Sequence, residues 1–599
     1  ELSDEVFINN AIENLKRSSG MFAEKAIEKL RKMKEQIQQL SQKFSAVVAN
    51  PPYMPTSSLE PWAKEWVQKK YADAKSDFFA AFVLRNLHFA DKAGELGFMT
   101  PFVWMFISSY EGLRKKLIDS HTITSLIQLE YSGFDGATVP ICTFSIQNAV
   151  NAGYKGGYVR LSDFVGAKKQ APKALEAIRN PDCGWFYRAD AQDFKVIPGS
   201  PIAYWASEAM REAFKTGKPL GDVVDAKQGL ATANNNRFLR FWWELDYSRI
   251  KFDATSVDDA ARSGYKWFPY NKGGEFRKWY GNNDYVVNWE NDGYEIKHFV
   301  DDKGKQRSRP QNTAYYFRSS ITWTDIASSG THFRFRPSGS LYDVKGMSCF
   351  PEPDECQQII GFCNSSLSFA MLKVLSPTLS TQIGEVSRLP VFCVGNSKDG
   401  IDRLVDTNIE YAQADWDSFD TSWDFEQHPL APSQLGSASL ISDCYTRWSD
   451  ECQQRFDTLK ANEEELNRIF AEIYHMENEV PIEVPDDKVS VRRADLQRDI
   501  KSLISYGVGC LFGRYSVDKP GLILADQGSA AEDFREKLPN ASFSIDEDGI
   551  LPVLDGEWFA DDITAQFKKW LEVVYGADTL SENIAFIEEA LGKDIRTYF

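Results

Sequence analysis

The chain has 599 residues, a net charge of −18, 43% hydrophobic residues and 13% aromatic ones. That much apolar and aromatic material excludes a disordered chain, and the negative balance excludes a protein that coats nucleic acid through charge alone. No apolar run is long enough to span a bilayer, and the nine scattered cysteines, with no C-x-x-C pair, read as reduced core residues of a cytoplasmic protein rather than metal ligands.

Residues 11–43 are rich in Ala, Glu, Lys, Gln and Leu and read as helix. Phe44 to Ala49 is a short apolar run that reads as a buried parallel strand. It stops at Asn50, since Pro51 and Pro52 forbid helix and further ladder bonding. Asn50 and Tyr53 are thereby left at the carboxyl end of a strand, where open α/β sheets bind ligands. Residues 76–92 read as helix, Gly94 and Gly97 as a turn, and 96–100 as a strand. A helix with a Ser cap is expected over 108–119, then strands over 122–130 and 139–147. The alternation predicts a doubly wound sheet that finishes in a hairpin, within a first domain over residues 1–165.

A break follows near 149–200. Residues 201–425 are strand-like, aromatic and turn-rich, and read as a mixed, mainly β domain. A long helix is expected within 440–480, with Leu459, Leu466, Phe470 and Ile473 on one face, as a spacer packed on that domain. Residues 481–490 read as a linker and 491–599 as an acidic, helix-containing C-terminal domain.

Two stretches carry chemistry. The exocyclic amino group of a planar base is a poor nucleophile because its lone pair is delocalised into the ring. The Asn50 side-chain oxygen and the Pro51 carbonyl can both accept from that group, the prolines hold the acceptors in place, and Tyr53 offers a flat face to an extruded base. In residues 262–340, Lys and Arg outnumber Asp and Glu by thirteen to eight, against the trend of the chain. There Arg277, Lys278, Arg307, Arg309, Arg334 and Arg336 are interleaved with Trp279, Tyr280, Tyr315, Tyr316, Phe333 and Phe335. Such residues grip phosphates, read base edges and stack on bases; the plainer alternative is a solvated surface loop.

Asn50-Pro51-Pro52-Tyr53 after an apolar strand resembles the catalytic motif of amino-group methyltransferases that use S-adenosylmethionine. Lys75 to Leu84, Gly94 to Pro101, Phe134 to Val139 and Cys142 to Ile146 resemble the segments that follow the motif. Trp267 to Gly274, Arg277 to Asn282, Ile321 to Trp323, Asn364-Ser365, Pro377 to Leu379 and the loop Gly229 to Phe238 resemble the recognition region of large adenine-specific DNA methyltransferases. The long chain as a whole is most similar to the methyltransferases of BREX phage-defence systems.

The resemblance implies a partial Rossmann-like methyltransferase sheet followed by a target-recognition domain, and N6-adenine methylation of double-stranded DNA. Asn50, Pro51, Pro52 and Tyr53 would be catalytic, and Phe134 would pack on the flipped adenine opposite Tyr53. Asn50, Pro52 and Asp77 would meet S-adenosylmethionine, although Asp77 reads equally well as a helix-capping acid. Implied partners are DNA, other BREX defence proteins and a phage inhibitor that mimics DNA; no membrane or metal is implied. The family's glycine-rich donor loop precedes the motif strand, whereas the 49 residues before Asn50 look helical and hold only Gly20. The chain therefore reads as a fragment cut at both ends that alone binds the donor weakly or not at all. Methylation of a protein glutamine amide, or a mainly DNA-reading and assembly role, are the alternative functions.

Overall fold

Helix propensity over the first forty residues produces two helices, α1 (Leu2–Lys16) and α2 (Met21–Ser41). The single helix expected over 11–43 is parted at Gly20, the weakest helix former in the span. The computed structural model describes residues 2–17, 20–131, 133, 139–325, 330–377, 380–432 and 434–599. It divides into two compact units, Glu1–Thr216 with Val374–Pro377, and Gly217–Lys373 with Thr378–Phe599.

The first unit is built on β1 (Phe44–Ala49), α3 (Pro61–Lys70), α4 (Phe78–Leu87), β2 (Ala90–Pro101), α5 (Glu111–Ser120), β3 (Thr122–Gln128), β4 (Ile141–Gln147), β5 (Lys155–Arg160), α6 (Ala167–Arg179), β6 (Phe186–Asp190) and α7 (Glu208–Thr216). Its six strands lie in the order β1-β2-β4-β3-β5-β6. β1 runs parallel to β2 and β3 parallel to β5, while β4 is antiparallel to both β2 and β3. The sheet thus continues past the expected hairpin, and residue 165 falls inside the first unit, between β5 and β6. Phe79, Leu96, Phe98, Trp104, Leu126 and Phe144 are among the side chains that fill the core.

Three local expectations change. β1 is an edge strand, not a buried one: Val48 is 85% exposed, and among the described residues only β2 pairs with it. An apolar run reports side-chain character, not the number of neighbouring strands. β2 is longer than expected because Gly94 does not end it. Gly94 sits where the β1–β2 register shifts, and a Cβ there would lie 3.1 Å from the Phe44 carbonyl oxygen, so glycine permits the close approach. Residues Ser108–Tyr110 form a 3₁₀ turn and α5 has no side-chain cap. Buried Arg114 of α5 instead ties that region together, donating to the carbonyls of Trp104, Ile107, Gly199 and Ser200.

The second unit holds two four-stranded sheets of short strands. One runs Leu341–Tyr342, Trp267–Asn271, Tyr285–Asn288, Leu239–Phe241; the other runs Phe333–Arg336, Ser320–Trp323, Ser348–Phe350, Asp225–Lys227. Helices Cys356–Asn364 and Lys398–Asp417 pack with the 33-residue helix Ile441–Ile473. Leu459, Leu466 and Phe470 of that helix are buried as expected, and Phe362 packs on Phe470. Its first half is more than a spacer: Ile441, Cys444, Trp448 and Cys452 join the core formed by Leu496–Leu511 and Ile563–Tyr575. Of the nine cysteines, all free, Cys393 is exposed rather than in a core. Among the described residues no single helix is long and apolar enough to cross a membrane.

Candidate functional site

β1 delivers Asn50 to its carboxyl end, and the two prolines turn the chain away from the sheet. Asn50 and Pro52 are exposed and Pro51 is buried. The Tyr53 hydroxyl lies 3.1 Å from the Asn50 side-chain oxygen and 3.1 Å from the Met99 carbonyl, both of which accept from it. Its ring is 37% exposed and meets Phe79 edge to face, with ring centres 6.4 Å apart. Partial burial raises the phenol above its usual range, so it stays a neutral donor. None of the described hydrogen bonds ends on the Pro51 carbonyl. A carboxamide oxygen, a peptide carbonyl and an aromatic face thus share one loop.

The loop is fixed from behind. The Phe78 amide donates to the Met54 carbonyl at 2.9 Å, the Thr56 amide to the Ser76 carbonyl at 3.2 Å, and the Thr56 hydroxyl to the Lys75 carbonyl at 2.6 Å. Asp77 completes this staple: one carboxylate oxygen accepts from the Met54 amide at 3.1 Å and from the Phe79 amide at 3.2 Å. Asp77 is therefore the N-cap of α4 and a positioning residue for the loop, through one of its two carboxylate oxygens. Phe134 lies outside the described residues, as do Thr138, Thr378 and Leu379.

Among the described residues α1 and α2, and no strand, precede β1. No strand–glycine–helix turn that could cradle S-adenosylmethionine is among those described residues, which by themselves do not fit a donor site.

The basic stretch separates into two populations. Arg277 is mostly buried and donates to Asp415 at 3.0 Å, with its guanidinium 4.8 Å from the Trp416 ring centre. Lys278 donates to Glu463 at 2.7 Å, and the same carboxylate accepts from the Trp279 indole at 2.7 Å. Arg334 and Arg336 are buried too, at 1% and 4% exposed, and Arg336 donates to Ser340 at 2.8 Å and to the Asn283 side-chain oxygen. Their guanidinium pKa values are pushed down to about 9 and about 10, chiefly by that burial. Trp279, Tyr280, Tyr316 and Phe333 are buried as well. Arg277, Lys278, Arg334 and Arg336, expected to touch DNA, are internal in this structure. Arg334 and Arg336 lie on the strand Phe333–Arg336, where both are buried, while Arg277 and Lys278 lie between strands and turn inward to carboxylates.

Arg307 and Arg309 remain exposed. Their segment pairs with the loop Gly229 to Phe238 through reciprocal backbone bonds between Ala231 and Arg309, 3.1 and 2.8 Å long. Gly229 makes this possible: a Cβ there would lie 1.9 Å from the Tyr342 carbonyl oxygen. Arg237 and Arg307 both stack on Phe299, at 5.5 and 5.1 Å from its ring centre. Lys303, Lys305, Arg307 and Arg309 are exposed, as are Asn234, Asn235, Asn236 and Arg237, the last paired with Glu295 at 3.4 Å. Sequence reasoning weighted all the cations alike and passed over Arg237, which sits in the Asn-rich turn already singled out.

Comparison with known proteins bears on both parts. A family model described as Eco57I restriction-modification methylase matches residues 3–134. The adenine-specific methyltransferase PglX of Lacticaseibacillus casei (strain Zhang) is 38% identical over 564 residues, which is 92% of this chain. Its relatives are adenine-specific methyltransferases. A second, BrxX of Escherichia coli O9:H4 (strain HS), is 33% identical over 580 residues, again 92% of this chain. The chain spans about half the length of these relatives, 46% and 45%. A solved structure, the Type IIL restriction-modification enzyme MmeI in complex with DNA, covers 73% of this chain and 55% of its own at a TM-score of 0.44 and 11% identity. The segment matched by the family model holds β1, the Asn50–Tyr53 loop and the α4 staple, while the two relatives also span the second unit.

Proposed function

We propose that this chain presents the target base in an S-adenosylmethionine-dependent, site-specific DNA N6-adenine methyltransferase that marks self DNA in phage defence. The observation that carries this reading is the Asn50–Tyr53 loop, whose two acceptor oxygens and aromatic face are held at the end of β1 by the α4 staple. An adenine swung out of the duplex rests on Tyr53. Its amino group donates to the Asn50 side-chain oxygen and the Pro51 carbonyl, which draws the lone pair out of ring conjugation. The Tyr53 hydroxyl has a second acceptor at Met99, so it can turn there and leave the Asn50 oxygen to the base. S-adenosylmethionine supplies the methyl group when bound.

The exposed cations of the second unit, Arg237, Lys303, Lys305, Arg307 and Arg309, take the DNA backbone. A phage inhibitor that mimics DNA would meet the same surface, since it attracts any extended polyanion. In this reading the protein acts on cellular DNA in the cytoplasm, alongside the other proteins of a BREX system. The names of the relatives, adenine-specific methyltransferases, support this over glutamine methylation. The test is a genome-wide map of N6-methyladenine in cells with and without the complete gene. A nonpalindromic motif methylated only when the gene is present is the expected result; an unchanged map overturns the reading.

A further inference from the structure

The most conspicuous side chains that the site above leaves unused lie on α3, eight residues beyond Tyr53. Trp62 is 75% exposed and Trp66 53% exposed. A tryptophan is rarely left in water to this extent, and two neighbours are a patch rather than scatter. At helical spacing Trp62, Trp66, Lys69 and Lys70 fall on one stripe. The opposite side, at Val67, is buried against the unit. Among the described residues Lys69 and Lys70 form no ion pair, and both are exposed.

This helix is fixed to the catalytic loop. The Ser58 amide donates to the Pro55 carbonyl at 2.9 Å and the Leu59 amide to the Thr56 carbonyl at 3.3 Å, so the chain reaches α3 directly from the stapled Thr56. At its far end Tyr71 packs on the core and holds the Trp66 ring edge to face, with centres 5.6 Å apart. The stripe is therefore linked through a short, hydrogen-bonded turn to the loop that carries Asn50 and Tyr53. Aromatic faces next to free cations are complementary to one kind of polymer, a strand whose bases are unstacked and whose phosphates are close by. Extruding a base takes one stacking partner from the nucleotide on either side of it and leaves a base face open to an aromatic side chain.

We infer that Trp62 and Trp66 stack on the nucleotides flanking the extruded adenine while Lys69 and Lys70 hold their phosphates. The inference rests on the reading of Asn50 to Tyr53 as the adenine clamp. α3 thus lengthens the substrate site along the strand and favours the distorted duplex over the regular one.

The test compares two labelled duplexes of one sequence, one fully paired and one with a single unpaired adenine, by anisotropy titration with the full chain. Wild type should favour the unpaired-adenine duplex. Trp62→Ala/Trp66→Ala should weaken binding to that duplex by about tenfold or more, as expected for losing base–aromatic stacking, and should erase the preference. Lys69→Gln/Lys70→Gln should lower the slope of log affinity against log salt by about 2. Both variants remove outward side chains, and unchanged thermal unfolding identifies them as folded; the lysine pair touches no core. If both variants bind both duplexes as wild type does, α3 faces something other than DNA and the inference falls while the clamp reading stands. If wild type binds neither duplex, the DNA reading beneath it falls too.

Discussion

The loop at Asn50 and the strand at Arg334 are both polar stretches in apolar surroundings, and the structure uses them in opposite ways. Asn50 keeps its side chain in the open while backbone bonds and the Asp77 carboxylate hold its loop from behind. Arg334 turns inward, with the Arg277 carbonyl and the Thr324 hydroxyl, each at 3.4 Å, as its hydrogen-bond partners among the described residues. A polar group that is exposed yet immobilised is available for chemistry. One that is buried and enclosed serves the fold, because moving it would leave uncompensated charge or unmade hydrogen bonds. Charge in a sequence does not distinguish the two; the partner of each group does.

The sharpest way to break this comparison is at Asp415. It is nearly fully buried, accepting from Arg277 and from Arg492, each at 3.0 Å. Burial alone would push its carboxyl up, but Arg492 and Arg277 outweigh that and hold it below the usual carboxylate range. Asp415→Ala leaves two guanidiniums without their anion and is expected to cost about 3–5 kcal/mol of unfolding free energy, measured by denaturant titration. A loss of DNA affinity with stability intact would return Arg277 to the DNA surface.

A smaller effect is expected at the clamp. Tyr53→Ala in the complete protein should slow methyl transfer by an amount equivalent to about 1–3 kcal/mol, the usual worth of one base–aromatic stack. Tyr53→Phe keeps the ring and should lose less; single-turnover assays separate the two. Equal losses would mean that the hydroxyl, not the ring, matters.

Arg307→Ala/Arg309→Ala should leave the unfolding midpoint unchanged and lower the salt slope of duplex binding by about 2. An unchanged slope would remove these two exposed residues from the DNA surface.

The least of these effects is one of pH. His428 is buried and its ring is pushed down to about 3 by that burial, with the Leu430 amide donating to its Nδ1 at 3.2 Å. Its folded pKa lies below the usual histidine value, so the unfolded chain binds the proton more readily. The stability it contributes is present above pH 6.5 and is lost as pH falls from there towards 3. His332 acts in the same direction, through burial first and Arg334 second. Thermal midpoints should fall with acid over this range, and His428→Gln should flatten the decline. A midpoint independent of pH between 7.5 and 5 would contradict the burial of these rings.

Much of the first unit was legible because its signals are short-range. The strand Phe44–Ala49 was read to the residue, since prolines and an apolar run bound it on local grounds alone. Asp77 was recognisable as a cap, and the helix behind it followed. Long-range pairing was not: nothing local in Lys155–Arg160 or Phe186–Asp190 says that they extend the same sheet. Nor does the local sequence of β1 say that it lies at an edge. The basic stretch misled for the same reason. Arg334 and Arg336 alternate with Phe333 and Phe335 as in a strand with one wet face, yet helix Cys356–Asn364 and other elements cover that strand. The Trp62, Trp66, Lys69 and Lys70 stripe has helical spacing but was not singled out from the sequence, because its meaning comes from exposure.

The central claim is that the Asn50 carboxamide holds the amino group of an extruded adenine. It is tested most directly by Asn50→Ala in the complete protein, with DNA binding and methyl transfer measured on the same preparation. Binding kept within about twofold and transfer reduced by at least about a hundredfold, as for loss of a preorganised polar contact at the reacting group, is the predicted result. Transfer at the wild-type rate by a folded Asn50→Ala protein would contradict it.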